Sequence, residues 1–79
     1  MSNFLQSLKE DKSGNWDKAH DLIQHDNSSD AAWIHAYLHR KEGDDWNARY
    51  WNDQAGKSFP NMGIEEEFEV LWRHFSNES

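Results

Sequence analysis

The chain has no cysteine, which excludes both a disulfide framework and any thiolate metal site. Proline occurs once, at Pro60, and glycine only four times, so the breaks between regular segments are few and well placed. Long apolar runs are missing: nothing approaches the ~20 residues that span a bilayer. Met1 to Asp11 has no basic stretch followed by an apolar one, as a secretory signal would require. Cytoplasmic residence is the expectation. Basic residues are also scarce, eight against fifteen acids, for a formal net charge of −7. Nucleic acids and anionic membranes are bound through a concentrated basic surface, so neither is an expected partner.

Aliphatic Leu, Ile and Val are few, and aromatics take their place: five Trp, two Tyr and four Phe in 79 residues. That length suits a single domain, residues 1–79, which buries only about 60% of its unfolded surface or slightly more. A core this small needs large side chains, and the aromatics provide them. They also set the chain apart from disordered segments, which are poor in such residues.

Turn-forming residues fall at Ser13-Gly14, Asp26 to Ser29, Glu42-Gly43-Asp44, and Gly56 to Gly63. The stretches between them carry apolar residues at helical spacing. Ser2 to Asp11 aligns Phe4, Leu5 and Leu8, and Asn15 to His25 aligns Trp16, Ala19, Leu22 and Ile23. Asp30 to Glu42 carries Trp33, Ile34, Ala36, Tyr37 and Leu38; Asp44 to Ala55 carries Trp46, Ala48, Tyr50, Trp51 and Ala55. Ile64 to Phe75 repeats Ile64, Phe68, Leu71 and Phe75. Ser28 or Ser29 is placed to cap the third segment. No alternating run suggests a strand. Gly14-Asn15-Trp16-Asp17-Lys18-Ala19 is echoed by Gly43-Asp44-Asp45-Trp46-Asn47-Ala48, with Gly at a turn and Ala five residues on. The expected fold is all-α: about five helices, as two antiparallel hairpins and a C-terminal capping helix. The acidic run Glu65-Glu66-Glu67 with Glu69 reads as a solvated face near a helix N-terminus.

From Ala36, small and turn residues follow at Gly43, Ala48, Ala55 and Pro60, at intervals of seven, five, seven and five. Over about Ser29 to Met62 this spacing resembles a tetratricopeptide repeat. The pattern is not matched at His35, His39 and Asn52, which points to a self-contained relative and not to part of a long array. The run Trp33 to Arg40, with Gly43-Asp44 and Tyr50-Trp51, also resembles small helical proteins of no assigned activity. The tetratricopeptide resemblance implies a concave face lined by the first helix of each hairpin, which takes a protein or peptide. By that carry-over the binding groove is Trp33, Tyr37 and Arg40, flanked by Asp30 and Lys41 and helped by Asn47. Trp, Tyr and Arg are the types enriched at binding hot spots.

The alternative site is a metal site. His35 and His39 stand at i, i+4, and Glu42 follows at i+3 from His39, so the three share one helix face. Two imidazoles and a carboxylate suit zinc or another transition metal, either for binding alone or for hydrolase-like chemistry with His20 as a further participant. As a metal-free reading, His20 forms an interhelix hydrogen bond. Asn47 and Gln54 fall within the apolar arc of their segment and would bond across to neighbouring helices. The number of Trp residues also admits a homodimer, with Trp72 as a candidate contact. Binding is favoured over catalysis, and no cofactor is implied.

Overall fold

The computed structural model describes residues 3–77. They form α1 (Asn3–Lys12), α2 (Trp16–Ile23), α3 (Ser29–Lys41), α4 (Asp45–Ala55) and α5 (Ile64–Asn77), with no strand among the described residues. The all-α, five-helix expectation holds. No helix is long and apolar enough to cross a membrane.

The two hairpin turns are built the same way. Gly14 and Gly43 both have φ of 89°, the left-handed region that glycine enters without steric cost. In the first turn Gly14 N–H donates to Asp11 O and Asn15 N–H to Glu10 O; in the second, Gly43 donates to Arg40 O and Asp44 to His39 O. Each is a Schellman closure that satisfies the last carbonyls of one helix while turning the chain into the next. Ser28 Oγ accepts from Ala31 N–H at the start of α3, and Asp44 caps α4 by accepting from Asn47 N–H.

Packing is centred on α3, which buries Ala31, Ala32, Ile34, His35, Ala36, Tyr37 and Leu38. It lies against α4 on one side, α2 on another, and α1 and α5 on a third. Leu8, Ala19, Ile23, Ile34, Leu38, Leu71 and Phe75 form the apolar centre, with Phe4, Leu5, Trp16, Trp33 and Trp72 around it. Ala36 and Ala48 are both fully buried, on the two helices that pack most closely together. Across α1 and α2, Ser7 Oγ donates to Ala19 O at 2.7 Å.

Three expectations about polar residues need correcting. Glu67 is not part of a solvated acidic face: it is buried and accepts from Arg40 Nη1 at 2.9 Å. Asn47 bonds back to Asp44 instead of crossing to another helix, and Gln54 is exposed. Asn52 is the amide of α4 that is buried. Burial pushes the Glu67 carboxyl above its usual range, and the bond and charge of Arg40 offset part of that rise. Truncating one member of a buried pair strands the other. Arg40→Ala is therefore expected to lower stability by roughly 2–4 kcal/mol in urea unfolding at neutral pH. Arg40→Ala combined with Glu67→Leu should recover much of that loss, because it removes the stranded acid as well.

Candidate metal centre

The seam between the hairpins is lined by rings. Trp16, the first residue of α2, donates Nε1–H to Leu38 O at 2.8 Å, which fixes its indole against α3. His20 lies one turn further along α2 and stacks on that indole, with ring centroids 5.0 Å apart. From α3, His35 and His39 stack on each other at 4.9 Å, and Trp51 of α4 covers the other face of His35 at 4.0 Å. His20 meets both α3 imidazoles edge-on. Two helices thus place three imidazoles together, held between the indoles of Trp16 and Trp51.

His20 Nε2 and His35 Nε2 are 2.8 Å apart. One ring must donate and the other accept, so the accepting ring is neutral, with its proton on Nδ1. Burial, reinforced by the neighbouring His20 and His39, holds His35 down at about 4. Burial followed by His39 also lowers His20. Both rings are therefore neutral near pH 7, the form in which imidazole coordinates a metal. His39 Nδ1 donates to Glu42 Oε1 at 2.7 Å, leaving Nε2 as its remaining donor atom.

One donor atom from each of His20, His35 and His39 lies within 4.8 Å of the others. In a tetrahedral site with metal–nitrogen bonds of about 2.05 Å, the nitrogens stand about 3.3 Å apart. Glu42 on the far nitrogen of His39 matches the usual outer carboxylate, which sets the tautomer and orientation of a ligating histidine. His39, Glu42 and Asp44 also fall within 4.8 Å of one another. Asp44, however, already serves Asn47 with both carboxylate oxygens, as the cap of α4.

The sequence-expected residues divide between opposite faces of α3. His35, His39 and Glu42 come together as their spacing implied, and α2 adds His20, whose hydrogen bond to His35 is the interhelix bond expected of it. Trp33, Tyr37 and Arg40 face α5. Tyr37 is buried and donates its hydroxyl to Asp11 Oδ2 at 2.9 Å, while Arg40 is held by Glu67 and the Met62 carbonyl. Trp33 packs on the rings of His74 and Phe75, and Lys57 lies over it at 4.3 Å. Asn47 is on α4, bonded to Asp44, apart from the other three. Of the residues expected to line a groove, Tyr37 is buried against α5, while Trp33 and Arg40 are part-exposed beside it. What spacing could not reveal was Trp16 and Trp51 walling the imidazoles, since that depends on how α2 and α4 dock against α3.

Comparison with known proteins returns no match: no family model fits the sequence, no curated protein matches it, and no solved structure matches it.

His35 makes stability depend on pH. Its folded-state value of about 4 lies below the ordinary 6.5, so the unfolded chain binds the proton more readily in that window. Stability of the metal-free protein is full above about pH 6.5 and falls as pH drops from there towards 4, by roughly 2–3 kcal/mol. Urea unfolding across this range should show that slope, and His35→Gln should flatten it.

Proposed function

We propose that this protein binds a divalent transition-metal ion through His20, His35 and His39, with Glu42 orienting His39. The observation that carries the reading is the convergence of three imidazoles from two helices, with one ring nitrogen of each within 4.8 Å of the others. With three nitrogen donors, no thiolate and no carboxylate in the inner set, the chemistry favours zinc, copper(II) or nickel(II) over magnesium or calcium. Three protein ligands leave one coordination position for water or another small ligand. A bound ion would also join α2 to α3, adding a link across the seam between hairpins.

Clefts of about 580 and 460 Å³ lie between α1 and α5, the second reaching Tyr37 and Lys41 of α3, and a further one of about 460 Å³ runs along Gly14 to Lys18 and includes Trp16, whose indole stacks on His20. None of the three has an imidazole of the cluster in its lining.

Titrating the demetallated chain with zinc and with copper(II) tests this. Binding should raise the melting temperature by roughly 10 °C at a hundredfold excess over Kd. Copper(II) should quench tryptophan emission, since Trp16 and Trp51 touch the ligand rings. Alanine at His20, His35 or His39 should remove the shift, and Glu42→Gln should weaken binding about 10–100-fold. His25→Ala, at an exposed position outside the cluster, should change nothing. A melting temperature unmoved by either ion would retire the proposal.

A further inference from the structure

Helix α5 meets the rest of the protein along one side. Phe68, Leu71 and Phe75 are buried there, with Phe75 against Phe4 of α1 at 5.1 Å and Phe68 beside Tyr37 of α3 at 6.1 Å between ring centroids. Next to that buried stripe α1 and α5 stand apart, and the cleft of about 580 Å³ lies between them. Lys9, Lys12 and Ser13 form its α1 wall, and Phe68, Glu69 and Trp72 form its α5 wall. The rings of Phe68 and Trp72 are within 14° of parallel, 6.1 Å apart between centroids, and Trp72 is only half-buried. They give the cleft a flat apolar side. The charged groups around it are opposed but unjoined. Neither lysine forms an ion pair with Glu69, or with any other acid among the described residues, and Glu69 has no basic partner there. Lys12 instead holds its ammonium over the Phe68 ring, 5.2 Å from the centroid.

We propose that this cleft binds a small zwitterion with a planar apolar body, the class to which free aromatic amino acids belong. Its volume is within the range of about 300–1,000 Å³ that holds small ligands, in sites that combine apolar walls with a few polar groups to fix orientation. The two walls specify those groups. A carboxylate accepts from Lys9 and Lys12 on the α1 side, where a chain of net charge −7 presents two cations that no acid of its own neutralises. An ammonium donates to Glu69 on the α5 side. A planar ring between them lies on the Trp72 indole and extends the stack that Phe68 begins. A simple anion would meet Glu69 and a simple cation would meet the lysines, and like charges set together oppose binding. Only a molecule with both signs complements both walls. The imidazole cluster takes no part in this cleft, so the inference is independent of the metal reading.

Heteronuclear NMR on the full chain, with a chelator present, tests this through the indole Nε1–H signals of the five tryptophans. L-Phenylalanine is the zwitterionic probe. N-acetylphenylalanine keeps only the carboxylate, phenylalaninamide only the ammonium, and N-acetylphenylalaninamide neither. L-Phenylalanine should shift the Trp72 signal saturably, leave that of Trp46 on α4 unmoved, and bind tightest of the four. Lys12→Gln should weaken L-phenylalanine and N-acetylphenylalanine about two- to fivefold without weakening phenylalaninamide. Glu69→Gln should weaken L-phenylalanine and phenylalaninamide by a similar factor without weakening N-acetylphenylalanine. Both positions are exposed, so both variants should keep the wild-type far-UV circular dichroism. Equal binding of all four probes would reduce the cleft to an apolar surface and overturn the proposal. Tighter binding of either singly charged probe, or a Trp72 signal that no probe moves, would overturn it too.

Discussion

The carboxylate of Asp11 sits inside the protein and must be satisfied there, because a buried charge without partners costs far more than a short chain can offset. Tyr37 Oη and Lys41 Nζ of α3 provide the partners, at 2.9 and 3.0 Å on separate oxygens. Asp11 is also at the end of α1, where its carbonyl accepts from Gly14 in the turn to α2. Burial and the adjacent Asp11 hold the Tyr37 hydroxyl above its ordinary range, so it remains a donor. One residue thus ties α1 to α3 and, through the turn, sets the angle at which the first hairpin meets the second. The position of His20 relative to His35 follows from that angle.

This polar arrangement is a consequence of composition. With few aliphatic residues available, the interior is completed by aromatic rings and by charged groups that bring their own partners: Asp11 with Tyr37 and Lys41, and Glu67 with Arg40. No buried side-chain nitrogen or oxygen lacks a hydrogen bond among the described residues. Such networks confer geometric precision along with stability, since each bond has a preferred distance and direction. Both faces of α3 use it. One face closes against α5 through Trp33, Tyr37 and Arg40, and the other presents His35 and His39 to α2. A helix held on both sides keeps its imidazoles in place relative to His20.

Much of the architecture was legible beforehand. Helical periodicity located all five helices to within a few residues, and the repeated Gly and Ala positions foretold two like turns. Those signals are local: a glycine at positive φ and a seven-residue run of apolar spacing act within a turn or two of chain. The clustering of His35, His39 and Glu42 was partly legible for the same reason, because the three share a face of one helix. The fate of Glu67 was not, since an acid in a run of acids looks solvated until Arg40 is known to lie opposite. Trp33, Tyr37 and Arg40 share one face of α3, and how much of each is buried there depended on where α5 came to rest.

Spacing along the chain settled which residues form helices, where those helices stop, and which side chains share a face, because these depend on contacts between near neighbours. Docking settled the rest. That His20 meets His35, that α5 covers the Tyr37 face, and that Trp46 is left in water all depend on the relative placement of helices. That placement arises from packing and paired charges between residues more than twenty positions apart, such as Asp11 with Tyr37 and Arg40 with Glu67, and no local pattern encodes it.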